Sequence, residues 1–175
     1  DQQDTAYLLV PNIQLNRLKS DGLTFIQRGQ RLDFRIEGAL EQLLSSTSYL
    51  QVYTHDKFIY GFGGGNWRVL ARAELGATQA DDLLELPASK RFFAGGDNSV
   101  RGFELEELGP KDEEGQVIGG RYLAVASLEL ERRIVGKWSA ALFVDGGNAF
   151  DPDYESDFEY GAGFGVRWQS PVGPV

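Results

Sequence analysis

The sequence has no cysteine, no methionine and one histidine, His55, in 175 residues. Without cysteine there are no disulfides and no thiolate metal site. One histidine excludes a multi-histidine metal centre and leaves no compelling serine–histidine–acid set, so neither a cofactor nor an enzymatic role is expected. His55 itself reads as a solvated residue at a strand end. Long apolar runs are also missing: nothing approaches the roughly 20 apolar residues that a membrane helix needs. A helical membrane protein is excluded, but a strand-built one is not, because a barrel strand is apolar only at alternate positions. Basic residues are in deficit, 17 against 26 acidic, for a net charge of -9. That balance argues against nucleic acid, whose phosphates want a basic face. The chain begins at Asp1 with no targeting signal and is expected to be a processed or excised piece.

Glycine and alternation are what the chain has. There are 22 glycines and 12% aromatics, with 42% hydrophobic residues, yet the mean hydropathy is only -0.30. Alternating segments recur at 6–18, 30–41, 46–60, 66–77, 120–133, 137–148 and 158–169. Most are about 11–15 residues long, against an ordinary strand of roughly 5–6 and the roughly 9–11 that cross a bilayer at a tilt. The last segment is the cleanest: Phe158, Tyr160, Ala162, Phe164, Val166 and Trp168 oppose Glu159, Gly161, Gly163, Gly165, Arg167 and Gln169. Aromatics close both ends of its apolar face, as at the two interfaces of a membrane. At 30–41, Leu32, Phe34 and Ile36 oppose Arg31, Asp33, Arg35 and Glu37.

A soluble β-sandwich binding module would also alternate, with its apolar face inside. Segment length, small outward alanines and the connections favour a barrel. GFGGGN (61–66), IVGK (134–137) and SPVGP (170–174) read as tight turns at every second connection, with KSDGLTFIQRG (19–29) as a longer exception. Segments 78–119 and 151–157 are the loops of the other side; this asymmetry marks outer-membrane barrels. Gly61–Gly65 has no helix after it and is no phosphate loop. The acidic clusters Asp81–Asp82, Asp112–Glu114 and Asp151–Asp157 have the oxygen ligands calcium takes, but read as solvated loops without metal. Seven strands do not close a bacterial barrel. The expected fold is therefore an all-β, antiparallel transmembrane β-barrel, with residues 1–175 forming part of one barrel domain.

Within the long connection, Phe93-Ala94-Gly95-Gly96 precedes Ser99-Val100-Arg101-Gly102-Phe103, and Phe143-Val144-Asp145-Gly146-Gly147 follows one strand later. This pairing resembles the inward VRGF/Y loop and the F-x-D-x-G strand motif of the BamA–TamA superfamily of outer-membrane assembly proteins, in the loop's wording most the TamA branch. The resemblance implies a barrel of about 16 strands, of which this chain holds seven, preceded by periplasmic POTRA domains. It implies location in the Gram-negative outer membrane and a part in inserting or translocating other β-barrel proteins, autotransporters among them. A TamB-like inner-membrane partner, reached through the POTRA region, and unfolded β-barrel or autotransporter substrates are the implied partners. A two-partner secretion pore of the same superfamily is the alternative. The residue chemistry agrees. Asp145 shares an inward phase with Ala141 and Phe143, opposite Trp138, Ala140, Leu142 and Val144. A confined carboxylate wants a cation, and Arg101 offers a planar fork. Glu129 is a second partner, Gly147 completes the strand motif, and Gly95, Gly96 and Gly102 permit sharp turns. Phe92, Phe93 and Phe103 are expected against Gly161, Gly163 and Gly165.

Overall fold

The computed structural model describes residues 8–23, 25–41, 45–170 and 173–174. They form one antiparallel sheet in chain order: β1 (Asn12–Ser20), β2 (Arg28–Ala39), β3 (Tyr49–Phe62), β4 (Trp67–Ala80), β5 (Tyr122–Val135), β6 (Trp138–Phe150), β7 (Glu159–Ser170) and β8 (Gly173–Pro174). β2 to β7 run 12 to 14 residues, within the expected range, and β1 is shorter at 9.

Beyond shifts of one to three residues at the other strand ends, three differences stand out. β1 begins at Asn12, just after Pro11, which has no amide to donate to a ladder; Pro11 instead accepts from Gly38 N at 3.3 Å. Positions 6 and 7 lie outside the described residues. The long connection is 81–121, because Thr78 N still bonds Arg121 O at 2.8 Å and the ladder carries to Ala80. A short eighth strand pairs Gln169 with Pro174 and Ser170 with Gly173, where a turn alone was expected; 171 and 172 lie outside the described residues. Between β1 and β2, Asp21 N bonds Arg28 O at 3.0 Å and the Asp21 carboxylate accepts Gln27 N at 2.9 Å, which organises the longer turn.

Register fixes the faces. Asp145 lies opposite Ser127 and Gly161, and Ser127 opposite Arg72. One face therefore gathers Arg68, Arg72, Ser127, Glu129, Glu131, Asp145 and Arg167. The other gathers the apolar set and has nothing on it: Phe164 is 85% exposed and Leu142 62%. A sandwich would bury both under a second sheet. The apolar cluster sits instead between the charged face and the long loop, where Phe92, Ala94, Val100 and Leu108 of the loop meet Leu123, Val125 and Ala149 of the wall.

Two polar expectations fall here. His55 is no strand-end residue: β3 runs on to Phe62, and the imidazole points inward with Nδ1 3.7 Å from Asp33. Asp151, in the loop expected to be solvated, is fully buried and pairs with Arg121 at 3.2 Å.

Candidate functional site: an arginine docked on inward carboxylates

The site is built from β5, β6 and the turn of the long loop at Ser99–Phe103. β6 presents Asp145 because the alternation puts it in phase with Ala141 and Phe143. β5 presents Ser127 and Glu129 beside it. The loop reaches this wall through a tight hairpin of its own: Gly96 N bonds Phe103 O at 3.1 Å, and Gly95 N bonds Ser99 Oγ at 3.2 Å. Gly102 holds φ 99°, a left-handed conformation that a side chain would strain. Val100 and Phe103 pack into the apolar cluster, so the residues flanking Arg101 are fixed before its charge is considered.

Four of the five guanidinium N–H directions of Arg101 are used. Nε gives a hydrogen bond to Asp145 Oδ2 at 2.6 Å and Nη2 one to Oδ1 at 2.8 Å, the bidentate arrangement that a guanidinium fork makes with a carboxylate. Its backbone N adds a third bond to Oδ2 at 3.1 Å. Nη1 reaches Glu129 at 2.9 Å and Nη2 also reaches Ser127 Oγ at 3.2 Å. The guanidinium lies over the Phe143 ring, 3.5 Å from its centroid, a cation–π contact that also keeps water off one side. The Asp145 side chain is 0% exposed and that of Arg101 19%. Hydrogen bonding to Asp145 pushes the Arg101 guanidinium up from its ordinary value; partial burial opposes this and Glu129 adds to it. The arrangement is a charge lock: one cation held by two carboxylates and a hydroxyl.

The family follows from the whole chain. The Omp85 superfamily domain matches residues 8–175. The chain belongs to the Omp85 superfamily. It is 32% identical, over 209 aligned positions, to the outer membrane protein assembly factor BamA of Neisseria meningitidis serogroup B, covering 97% of this chain and 26% of the relative. It is 30% identical over 111 positions to BamA of Nitratidesulfovibrio vulgaris, covering 59% of this chain and 14% of that one. The crystal structure of Haemophilus ducreyi BamA lacking POTRA domains 1–3 has the same fold, with a TM-score of 0.77 at 24% identity over 93% of this chain and 36% of that one. The chain thus spans about a quarter or less of the curated relatives it matches. As an Omp85 protein it is an outer-membrane protein of Gram-negative bacteria, and the unburied apolar face is the one that meets lipid.

Several parts of the Omp85 site were invisible in the sequence. The lock extends into a chain of alternating charge: Arg101 to Glu129, Glu129 to Arg167, Arg167 to Glu131 at 3.2 Å, and Glu131 to Arg68 at 2.6 Å. Arg68 ends it by donating to Ile26 O at 3.0 Å, with its guanidinium over Phe25 at 3.9 Å. The path therefore runs from the loop tip to the β1–β2 turn. Arg167 and Ser127 carried a usable signal, the inward phase of their strands; Phe143 carried none for a role beneath the arginine.

The expected packing of loop phenylalanines on the β7 glycines is overturned. Gly161 faces the Arg101 carbonyl, Gly163 leaves room for the Phe143 ring, and Gly165 faces open space. Phe92 lies instead over Gly76 and stacks on Tyr53 at 6.2 Å, Phe93 packs at Gly119, and Phe103 joins the apolar cluster. Gly147 serves β6 itself, where a Cβ would press on the backbone of Val125 and Ala124. The strands are staggered, so glycines in the right phase sit at a height that the loop backbone, not its rings, reaches.

Proposed function

We propose that this chain is a wall segment and inward strut of a β-barrel assembly factor, in which docked Arg101 holds loop 81–121 inside the barrel and keeps the wall in its working shape. The observation that carries it is Arg101 bound to Asp145, Glu129 and Ser127 on the inward face of a sheet whose other face is bare and apolar. The relatives bear the name of assembly factors. On this reading the substrates are unfolded outer-membrane β-barrel chains, and assembly proceeds by strand addition at an exposed barrel edge, where backbone hydrogen bonds template the incoming strand. The role is mechanical and involves no bond-making chemistry. A finer reading is of the TamA type, with autotransporter substrates and a TamB-like partner; its support is the loop's wording, Phe93 to Gly96 and Ser99 to Phe103.

The test uses the full-length protein in cells depleted of their own copy. Arg101→Ala and Asp145→Ala should each lower the folded, heat-modifiable fraction of a newly made barrel substrate while the variant itself remains folded in the outer membrane. Assembly at the unmodified rate by both variants would overturn the reading. A defect restricted to autotransporters, with other barrels unaffected, would favour the TamA type.

A further inference from the structure

The outward face is not uniformly apolar. In the register of β1 to β7, the outward phase holds one acidic residue, Asp56, and four basic ones, Arg17, Lys19, Arg28 and Arg132. All four basic residues lie towards the strand ends joined by the 21–27, 63–66 and 136–137 turns. No charged residue occupies the outward phase at the opposite ends, where Ile13, Gly38, Leu50, Gln79 and Tyr122 stand. Arg132 is engaged over the Trp67 ring at 4.9 Å.

Lys19 and Arg28 sit differently. They border a groove of about 370 Å³ on the outward side of β1–β3, with Gln30, Phe58 and Tyr60 among its other walls. Among the described residues Lys19 is in no ion pair, and Arg28 lies over Tyr60 at 5.6 Å without one. Gln30 is held by its own amide, which donates to both Asp56 oxygens at 3.3 and 3.0 Å. The polar groups around the groove are then the Gln30 carbonyl, the two cations and the Asp21 carboxylate, which accepts Gln27 N and leaves the lining with one net positive charge, and two aromatic rings form its apolar wall. A cation in the lipid-facing phase is costly unless it reaches the interface or finds an anion, and the aromatic rings mark the interfacial level.

We infer that this groove is a binding site for the phosphodiester headgroup of an anionic glycerophospholipid of the leaflet at the tight-turn end. Lys19 and Arg28 take the phosphate oxygens, and Phe58 lies against the upper acyl chain. The occupant follows from charge complementarity: two cations against the single Asp21 carboxylate, neither in an ion pair, at headgroup depth above rings that suit an acyl chain, fit a lipid anion rather than a peptide strand. The inference rests on the outward face meeting lipid, which is tested separately by Phe164→Arg below.

The experiment places the full-length protein in nanodiscs of phosphatidylethanolamine with phosphatidylglycerol, then counts the lipids that survive transfer into detergent by native mass spectrometry. The unmodified protein should retain phosphatidylglycerol. With each cation contributing roughly a fivefold factor, Lys19→Gln/Arg28→Gln should lower its retention about twenty-fivefold. Lys19→Arg/Arg28→Lys should keep it, which separates lost binding from lost folding, and Arg132→Gln should leave it unchanged. Equal retention by the Gln variant, loss in the charge-conserving variant, or an equal loss in Arg132→Gln would overturn the inference.

Discussion

The Arg101–Asp145 lock makes a quantitative demand. Removing the Arg101 side chain leaves Asp145, which is 0% exposed, with only the backbone N–H of residue 101 and its neighbours. It also strips Glu129 and Ser127 of one bond each. Leaving a buried carboxylate without its cation costs about 3–5 kcal/mol. Taking the lower figure, the undocked state of the loop gains about a hundredfold in population, at a factor of ten per roughly 1.4 kcal/mol. Limited proteolysis of the folded full-length protein in micelles reads this directly, since cleavage follows the open population when the loop closes faster than it is cut. Arg101→Ala should raise cleavage within 81–121 about a hundredfold. Arg101→Lys should fall between, because a lysine keeps the charge but cannot make the two-pronged contact. Arg101→Ala/Asp145→Ala should cost less than the sum of the single variants, by about 2–3 kcal/mol for groups in such direct contact. Unmodified cleavage in Arg101→Ala, or single effects that simply add, would refute the lock.

Other positions test other links. Gly161→Ala should loosen the same loop, because the new methyl would meet the Arg101 carbonyl, whereas Gly165→Ala, which faces open space, should leave cleavage unchanged. Phe164→Arg puts a cation in mid-strand on the bare face, should cost about 2–4 kcal/mol, and should deplete the heat-modifiable folded form; normal insertion would mean that this face does not meet lipid. Hydrogen bonds, first from the Arg28 backbone, hold the exposed Asp21 carboxyl below its ordinary value. A group depressed on folding stabilises above its unfolded value and loses that contribution as pH falls. Amide protection in the β1–β2 turn, relative to the intrinsic exchange rate, should therefore fall below about pH 4, and Asp21→Asn should abolish that dependence.

The face of each strand was legible because burial in a sheet has a period of two, and a long strand repeats the signal enough times to fix its phase. The segment from Phe158 to Trp168, most of it in β7, is the clear case. Phase also made the meeting of Arg101 with Asp145 readable: the one carboxylate of β6 faces inward, and an arginine followed by glycine is chemically matched to it. Height along the barrel wall was not readable. It depends on strand stagger, which no local pattern encodes, and so the loop rings were assigned to Gly161 and Gly163 when the Arg101 backbone and Phe143 occupy those places. For the same reason Arg167 was seen as inward but not as the residue that shares Glu129 with Arg101. Boundaries failed where one residue outweighs the pattern, as Pro11 does at the start of β1.

The charge chain shows why the loop docks as an ion rather than as a greasy plug. Without the loop, the bonded wall residues are Asp145, Glu129 and Glu131 against Arg167 and Arg68, three negative charges to two positive. Arg101 gives Asp145 the ion-pair partner it otherwise lacks, while Arg72, on the same face, stays outside the ion-paired chain and donates to the Ser99 carbonyl of the loop. An apolar tip would have stabilised docking by area alone and would tolerate many positions along the wall. A guanidinium with four of its five N–H directions committed accepts one position and one angle. Specific seating also has a reversible side: each ion pair in the chain can be exchanged for water if the lumen floods. Under the proposed assembly role, a strut held by exchangeable ion pairs is an interior support that the wall can release.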